Sequence, residues 1–549
     1  MASEGAVIPG KSSYSPEVNA HIWRDRRVIA GKLRVGVLAP GAGSIERWVA
    51  NVLDLLRHEP ALSIVRVFLL EGTIGAETSD AAPPFRWLEA WSNQTHGMLR
   101  TRVQLSAGFS TTSVSLPDAA RAIPECGLDV LVWLDTHPPA LECSGLARLG
   151  VWSFCFGDPD EALSTPAYWR EVLNRNPVST LVLQQRGAAD IGIIRNIGRW
   201  SLATVPGWRF TQNATDPLTL AGPALVRRLL DVLEDETVLD AAPTGAIPRP
   251  ARYPTAWDTA RFAAGQTVRS VSRRIAARGR DYPWFVAVRS DSRHFRANND
   301  RFVPDGFQDV PEPEGSSYAD PFVLSREGRN WLFVEEASTK LPHGRLVCLE
   351  LLADGGFGDP MVVLERPYHL SYPFIVQKGS DLFLLPESAA NHSIELYRAT
   401  RFPDKWELEK ELCSNIAAVD TSAICLEGIW YFFTTALSGG NETFLFWSTE
   451  LDGEWHYHPR NPICTDIRRS RGAGALFLCG GSLMRPVQDC SKSYGYAITL
   501  NRVTRISVTD FAEEAVETIL PNWRKGLLAT HTLNSNDAYE VIDARRFAP

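Results

Sequence analysis

Acidic, tyrosine and arginine side chains recur beside Pro, Ser or Gly at the ends of strand-like runs between Ser317 and Tyr496. These residues are Asp320 (YADPF), Glu335 and Glu336 (LFVEEAS), Tyr372 (LSYPF), Glu387 (LLPES), Asp420 (AVDTS), Arg471 (SRGAG) and Arg485 (MRPVQDC). In a radial β-propeller, the inner strand of each blade points one end at a common central funnel. Carboxylates that reach this funnel from several blades predict a site for carbohydrate chemistry.

Three of these carboxylates are the predicted catalytic groups. Asp320 precedes Pro321, and the alternative to a catalytic role is simple turn chemistry. Glu387 ends an apolar run, where burial would raise the pKa of its carboxyl group and suit it to general-acid work. Asp420 is expected to orient a partner group or to modulate its pKa. The alternative for Glu387 and Asp420 is a carboxylate that caps the NH groups of an exposed turn.

A wider set of residues is predicted to bind the substrate. Glu335 and Glu336 are adjacent and face opposite sides of a strand, so at most one faces the funnel, and Glu336 is the predicted one. Arg471 and Arg485 suit a phosphate or a sugar carboxylate, or else they neutralise the acids and hold the blades together. The remaining predicted substrate-binding residues are His369, Tyr372, Gln488, Asp489, Tyr494 and His531. Because the eleven His residues form no HExxH or comparable motif, no metal is expected to be required.

The elements that must position these residues follow from two different periodicities. From Tyr282 onward, short aromatic and β-branched runs such as NWLFVEEA, GIWYFFTT and ETFLFWST alternate with turn residues. About 260 residues of such strands predict a five-bladed, all-β propeller over residues 282–549. Residues 31–236 instead alternate buried strands with amphipathic helices. The order LRVGVL, APGAGS, IERWVANVLDLLRH and SIVRVFLLEG predicts a Rossmann-like α/β domain.

The remaining segments are a leader over residues 1–30 and a linker with a basic helix over residues 237–281. The Arg-rich face of that helix indicates either contact with an anionic surface or a solvated helix between two domains. Because the chain has a net charge of −8, nucleic acid is not an expected partner. No apolar run is long enough for a membrane span and no secretory signal occurs at the N-terminus. The nine scattered Cys residues predict free thiols in the cytoplasm.

Motifs in the second half match a known family in order. They are ADPF (319–322), FVEE (333–336), HLSYPF (369–374), LPES (385–388), IELYRATRFPDKW (394–406), EWHYHPRNP (454–462), RGAG (471–474) and RPVQDCSKSYGYAI (485–498). This half resembles the N-terminal domain of plant glucosamine inositolphosphorylceramide transferase and its bacterial relatives. The resemblance implies a five-bladed propeller distantly similar to arabinanase- and invertase-type glycoside hydrolases, in which an acid comparable to Asp320 is a general base or nucleophile. The plant transferase domain lies elsewhere, so a partner glycosyltransferase is a further expectation.

Motifs in the first half are similar to those of another family. They are LRVGVL (33–38), LDVLVWLD (128–135), GVWSFCFGD (150–158), YWREVL (168–173), STLVLQQ (179–185) and ADIGII (189–194). This half resembles the methionyl-tRNA and sugar N-formyltransferases, which use an Asn-x-His motif and an Asp. The corresponding residues here are Ser153, Cys155 and Asp190. A neutral Cys supplies no imidazolium proton near pH 7, and Ser is shorter than Asn. The resemblance implies 10-formyl-tetrahydrofolate as the cofactor of this domain, and none for the propeller.

Three functions are consistent with these patterns. The first is an enzyme of glycan assembly or tailoring whose propeller binds and acts on a saccharide, a sugar nucleotide or a glycolipid. The second is an amino-sugar N-formyltransferase whose propeller recognises the acceptor glycan. The third is a glycan-binding protein without catalytic activity.

Overall fold

The computed structural model describes residues 31–41, 43–71, 81–137, 144–160, 162–164, 166–187, 193–245, 249–276, 283–290, 302–437 and 441–546. The described residues form two compact units, one that ends at Ala276 and one that begins after it. The predicted leader and Asp190 lie outside the described residues. None of the helices in the described ranges combines the length and the apolar character needed to span a bilayer.

The first unit is built from eleven described strands and seven described α-helices. The strands are β1 (Leu33–Pro40), β2 (Ser44–Glu46), β3 (Leu62–Leu70), β4 (Arg102–Gln104), β5 (Thr111–Val114), β6 (Val130–Trp133), β7 (Val151–Phe156), β8 (Ala162–Ser164), β9 (Val178–Arg186), β10 (Ile194–Ala203) and β11 (Arg249–Arg252). The helices are α1 (Arg47–His58), α2 (Pro83–His96), α3 (Leu116–Ala122), α4 (Trp169–Asn174), α5 (Thr215–Glu234), α6 (Thr237–Asp240) and α7 (Ala256–Ala276).

Seven of these strands form one mixed sheet in the order β10-β9-β7-β6-β1-β3-β5. Five neighbouring strands of this sheet run parallel to one another: β7, β6, β1, β3 and β5. Strand β9 runs antiparallel to β7 and to β10. Strands β1, β6 and β7 are almost continuously apolar because helices cover both faces of the sheet. Helices α1 and α5 pack on one face and α3 packs on the other. The first unit is therefore a three-layered α/β structure, and its kinship with formyltransferases stays a prediction.

Helix α7 differs from the predicted linker helix because it belongs to the first unit. Phe262 is buried in an aromatic cluster, 4.6 Å from the ring of Trp169 and 5.9 Å from that of Phe210. The opposite face is exposed and carries Trp257 and Val268. The apolar residues of α7 therefore lie on two faces, one buried and one exposed. The Arg-rich pattern alone did not distinguish these faces.

The second unit contains twenty-two described strands. They are β12 (Trp284–Ser290), β13 (Gln308–Asp309), β14 (Ser316–Arg326), β15 (Arg329–Ser338), β16 (Arg345–Leu351), β17 (Met361–Leu364), β18 (Ser371–Lys378), β19 (Asp381–Glu387), β20 (Ser393–Arg401), β21 (Lys405–Ser414), β22 (Ala418–Leu426), β23 (Ile429–Ala436), β24 (Glu442–Ser448), β25 (His456–Tyr457), β26 (Arg471–Gly472), β27 (Phe477–Cys479), β28 (Ser482–Asp489), β29 (Ala497–Ile506), β30 (Phe511–Ile519), β31 (Leu527–Ala529), β32 (Leu533–Ser535) and β33 (Tyr539–Arg546).

These strands form five antiparallel sheets, which confirms the predicted five-bladed propeller. Blade 1 contains β14–β17, blade 2 contains β18–β21, blade 3 contains β22–β25 and blade 4 contains β26–β30. Blade 5 closes the ring, because β12 from the start of the unit pairs with β33 from its end, with Phe285 opposite Ala544. Apolar clusters bury the faces of neighbouring blades against one another, so the polar residues of the site are held between packed sheets.

Candidate functional site

Three predicted site residues occupy equivalent positions on the inner strands of blades 1, 2 and 3. Asp320, Tyr372 and Asp420 have positive φ angles of 49°, 47° and 51°. At each of them the pairing with the next strand shifts register, so each lies in a β-bulge rather than at a strand end. A bulge re-aims a side chain, and a positive φ at a non-Gly residue persists only where its surroundings enforce it. The repeated bulge is therefore the local device that sets the direction of these side chains.

Asp320 of blade 1 is held by residues of blade 5. Thr532 Oγ1 donates a hydrogen bond to Asp320 Oδ1 at 2.6 Å, and the Asp320 backbone NH donates to Asp543 Oδ2 at 3.0 Å. His531 lies between the two carboxylates, with Nδ1 2.6 Å from Asp543 Oδ2 and Nε2 3.7 Å from Asp320 Oδ1. All four side chains are buried.

Burial and charge set the protonation of this group. Burial raises the pKa of Asp320 to about 6, while His531 lowers that pKa and the nearby carboxylates of Asp420 and Asp543 raise it. Burial lowers the pKa of His531, but Asp543 and Asp320 outweigh that effect, so the net pKa lies above its ordinary value. At neutral pH, Asp320 is therefore mainly ionised and close to its titration midpoint.

Arg471 of blade 4 joins the acids of blades 2 and 3. Its Nε lies 2.5 Å from Asp420 Oδ2, and its Nη2 lies 3.6 Å from Glu387 Oε2. Gln488 Nε2 donates a second hydrogen bond to Asp420 Oδ2 at 3.1 Å, and the guanidinium stacks over the ring of Tyr494 at 4.8 Å. Burial and the Asp420 charge raise the pKa of Glu387 well above its usual value, and Arg471 offsets only part of this shift. The protonated form of Glu387 is thus favoured relative to an ordinary carboxyl group, and Asp420 makes the shorter contact with the Arg471 guanidinium.

The hydroxyl group of Tyr372 connects several parts of the site by hydrogen bonds. Its hydroxyl accepts a hydrogen bond from the Gly474 NH at 2.8 Å and lies 2.8 Å from Ser422 Oγ, which itself donates to the Gly474 carbonyl at 3.0 Å. A Cβ on Gly472 would lie only 2.6 Å from the Asp420 carbonyl oxygen. These contacts explain the RGAG motif, because the chain of blade 4 must approach Asp420 and Tyr372 closely.

Partly exposed side chains complete the cluster. The ring of Trp284 stacks on His531 at 3.9 Å and 16°, and Tyr494 meets His531 edge-on at 5.4 Å. His369 Nε2 lies 3.4 Å from Glu335 Oε1, and His369 Nδ1 accepts a hydrogen bond from the Gly344 NH at 3.1 Å. Burial lowers the pKa of His369 to about 4, so its ring is neutral and Nε2 carries the proton. Burial and the site aspartates raise the pKa of Glu335 well above its ordinary value.

Three predicted substrate-binding residues make their polar contacts outside this cluster. Glu336 is the wrong member of its pair, because its carboxylate binds Arg345 at 2.8 Å while Glu335 interacts with the site aspartates. Arg485 lies inside β28 rather than at a strand end and pairs with Glu513 at 2.6 Å. Asp489 Oδ1 accepts a hydrogen bond from the Ser491 NH and forms a turn.

The sequence patterns missed two residues that the structure brings to the site. Asp543 lies in the YEVIDARR run and Trp284 in the PWFVAVRS run, both predicted only as strands. The available signal was an Asp between buried apolar neighbours, since Val541, Ile542, Asp543 and Ala544 are all fully buried. A charged residue at such a position requires partners.

Asp320, His531 and Asp543 also have one ligand atom each within 4.8 Å of one another, a spacing that a metal ion can bridge. The atoms already have partners within the protein, because Asp543 Oδ1 accepts the NH groups of His531 and Thr532 at 3.0 and 2.9 Å. The hypothesis that no metal is required stays a prediction.

The formyltransferase-like positions of the first unit lie inside β7. Ser153 and Cys155 are both buried, and Cys155 Sγ lies 3.5 Å from the Gly157 carbonyl oxygen. Burial raises the pKa of the Cys155 thiol to about 12, so it is neutral at physiological pH. Asp190 lies outside the described residues.

A known protein family matches most of the second unit. The family model described as "Glucosamine inositolphosphorylceramide transferase 1, N-terminal" matches residues 308–543. Glucosamine inositolphosphorylceramide transferase 1 of Oryza sativa subsp. japonica is 29% identical over 238 residues, which cover 42% of this chain and 31% of that protein. Its counterpart in Arabidopsis thaliana is 30% identical over 216 residues, which cover 38% and 28%. The chain thus spans less than a third of the length of these curated relatives.

Two solved structures are among those to which the chain is similar. One is Zg3597, a family 117 glycoside hydrolase from Zobellia galactanivorans, with 12% identity and a TM-score of 0.32 over 48% of this chain and 90% of that chain. The other is an exo-β-1,3-galactanase from Clostridium thermocellum, with 14% identity and a TM-score of 0.32 over 37% and 50%. In sequence, residues 308–543 are similar to the N-terminal region of a glucosamine inositolphosphorylceramide transferase.

Proposed function

We propose that the second unit binds a saccharide at the centre of its propeller and acts on it by acid–base chemistry. The observation that carries this proposal is the convergence of Asp320, Glu387 and Asp420 from three blades in one electrostatically connected cluster. The pKa of Asp320 is raised to about 6 and that of Glu387 well above its ordinary value, and a site that sets the pKa values of two carboxyl groups apart can supply an acid and a base at the same pH. The names of the relatives, which refer to a transferase of a glycolipid, support a saccharide or glycolipid substrate.

In this proposal Asp320 and Glu387 have opposite roles. Asp320, with a pKa of about 6, accepts a proton from a water or an acceptor hydroxyl as that oxygen bonds to the anomeric carbon. Glu387, whose raised pKa favours its protonated form, gives its proton to the departing glycosidic oxygen. Attack by water gives hydrolysis, and attack by a second sugar hydroxyl gives transfer.

Asp420 and Arg471 are proposed to position the catalytic pair and to set its charge. The Arg471 guanidinium holds Asp420 at 2.5 Å and approaches Glu387 at 3.6 Å. Because Arg485 is bound to Glu513, the two guanidiniums do not form a free pair for a phosphate or a sugar carboxylate. The geometry therefore favours the alternative that both arginines neutralise acids. Arg471 joins blade 4 to blades 2 and 3, whereas Arg485 pairs within blade 4. The substrate sugar is expected to carry no negative charge at this centre.

A test requires the full-length protein and an open set of substrates. The protein would be incubated with neutral and amino-sugar oligosaccharides and with glycolipid headgroups, with and without an acceptor sugar, and the products identified by mass spectrometry. Glu387→Gln and Asp320→Asn should each reduce product formation by at least about a hundredfold, as removal of a general acid or base does. The matched control is Glu336→Gln, which removes a buried carboxylate on blade 1 outside the cluster.

Two outcomes would redirect the proposal. Saccharide binding that shows no turnover in any mixture would favour the glycan-binding alternative. Turnover that survives both substitutions would place the chemistry outside this cluster.

The amino-sugar N-formyltransferase alternative concerns the first unit. It is supported by the strand order of the sheet, which reverses between β1 and β6, where doubly wound α/β proteins bind their ligands. The described residues do not fit formyl transfer from 10-formyl-tetrahydrofolate, because Cys155 is buried and neutral where an imidazole is needed. A formyl product that is lost on Asp190→Asn would establish this activity in spite of Cys155.

A further inference from the structure

A cleft of about 390 Å³ lies in the first unit, far in sequence from the propeller acids. Three segments form it: α2, residues 205–212 after β10, and α7. Its polar and aromatic lining consists of Trp91, Trp208, Arg209, Gln212, Gln266 and Arg269. This volume falls in the range of small-molecule pockets, roughly 300–1,000 Å³.

Two indole rings from different elements line the cleft. Trp208 is fixed in place, because its Nε1 donates to Ser270 Oγ at 3.3 Å and its ring meets Phe262 edge-on at 5.8 Å. Trp91 on α2 is 42% exposed at the rim. One held and one exposed aromatic face suit a flat or chair-shaped ring that enters from solvent.

The polar lining favours a negatively charged ligand with further hydrogen-bonding groups. Arg209 is exposed and Arg269 is half-buried, and none of the described residues that line the cleft is acidic. Guanidinium groups bind phosphate oxygens in a bidentate manner. Gln266 is only 4% exposed and lines the cleft. A buried amide of this kind is suited to bind a hydroxyl or carbonyl group of a ligand.

We propose that this cleft binds a phosphorylated ring compound. The ring lies against Trp91 and Trp208, the phosphate pairs with Arg209, and Gln266 binds a polar group of the ring. Sugar phosphates and nucleotides share this chemistry. The proposal does not depend on the activity proposed for the propeller, because every lining residue belongs to the first unit.

Calorimetric titration of the full-length protein tests the proposal. The probes are glucose 1-phosphate and uridine diphosphate, with glucose, uridine and inorganic phosphate as the separated parts. At least one phosphorylated ring should bind about tenfold or more tightly than either of its parts, since stacking and charge pairing act together. The phosphorylated probe that binds more tightly identifies the ring as sugar or nucleoside.

Variants locate the binding within the cleft. Trp91→Ala and Arg209→Gln should each weaken binding of the phosphorylated ring by about tenfold. Their matched controls are Trp87→Ala, which removes an indole that is 81% exposed on the same helix, and Arg261→Gln on α7. Arg261 is exposed and does not line the cleft, because its Nη2 donates to Asn174 Oδ1 at 3.0 Å.

Both controls should leave the affinity for the phosphorylated ring unchanged. Trp91 and Arg209 are exposed, so the variants at these positions should fold, and a thermal melt verifies this.

Three results would overturn the proposal. The first is the absence of binding for both phosphorylated probes at millimolar concentration. The second is equal binding of inorganic phosphate and of the phosphorylated rings. The third is an equal effect of Trp91→Ala and Trp87→Ala on affinity.

Discussion

Replacement of Arg471 by Met should strongly destabilise the second unit. Methionine keeps the unbranched, apolar stem of the side chain and removes the charge. The substitution eliminates the contacts to Asp420 at 2.5 Å and to Glu387 at 3.6 Å, and it leaves the Asp420 side chain only 2% exposed with Gln488 as its remaining side-chain hydrogen-bond donor among the described residues. A buried carboxylate without its counter-charge is the source of the cost.

The magnitude follows from the burial of both partners. Removal of one partner of a buried ion pair costs about 3–5 kcal/mol. For a unit of this size, about 2–4 °C of melting temperature corresponds to each kcal/mol, so the expected decrease is roughly 6–20 °C. The lost cation–π contact with Tyr494 adds to this value, and the buried thioether of Met offsets part of it.

Differential scanning calorimetry of the full-length protein measures the effect. Arg398→Met is the matched control, because Arg398 pairs with Asp381 at 2.7 Å but both side chains are more than 40% exposed. An exposed pair contributes about 0–1 kcal/mol, so the control should melt within a few degrees of the wild type. The double variant Arg471→Met/Asp420→Asn should recover much of the stability, since it no longer buries an unpaired charge.

The pH dependence of the same variant gives an independent check. Burial favours the protonated form of an unpaired carboxyl group, so the destabilisation should be smaller at pH 5 than at pH 8. The reasoning is wrong if Arg471→Met melts within about 2–3 °C of Arg398→Met, which by size scaling is under about 1 kcal/mol. It is also wrong if the double variant is less stable than Arg471→Met.

Three further predictions follow from titration and from glycine contacts. Product formation by the propeller should rise with pH through about pH 6, the pKa of Asp320, and an initial-rate profile without an inflection between pH 5 and 7 would argue against its role as base. The pKa of His369 is lowered to about 4 in the folded protein, so as the pH falls below about 6.5 this imidazole is protonated in the unfolded chain before it is protonated in the folded one. The free energy of unfolding should therefore decrease from pH 6.5 towards pH 4, and melting curves of His369→Gln should show a smaller decrease. Gly265→Ala in α7 should add up to about 1 kcal/mol of stability and raise the melting temperature, because the new Cβ meets only the flexible end of a side chain at 3.8 Å. Gly472→Ala should lower the melting temperature, because its Cβ would lie 2.6 Å from the Asp420 carbonyl oxygen.

The alternation of apolar residues was sufficient to predict the propeller but not the direction of its side chains. In β15 the sequence rule assigns Glu335 and Glu336 to opposite faces, with one of them away from the site. In a propeller both faces of a blade pack against neighbouring blades, so both residues are inside. Glu335 shares the face of Phe333, which packs towards blade 2, and therefore meets His369. The periodicity could not distinguish these two buried faces.

The bulges at Asp320, Tyr372 and Asp420 were equally beyond the sequence pattern. The pattern grouped these residues as one recurring feature beside Pro, Ser or Gly. It could not place them inside the strands, since an inserted residue with positive φ does not interrupt the apolar run. The prediction that they mark strand ends was wrong for this reason.

The sequence did not predict Asp543 and Trp284 as site residues because strands that are far apart in the chain bring them there. The same pairing of strands bears on function. Strand β12 pairs with β33, which lies at the other end of the second unit, and no local pattern reports such a pairing. The same pairing brings Trp284 against His531 and places Asp543 beside Asp320. The contact that closes the ring is therefore part of the site. The ionisation of Asp320 depends on His531 and Asp543, so a perturbation that loosens blade 5 should change the pH profile of the site before the propeller unfolds.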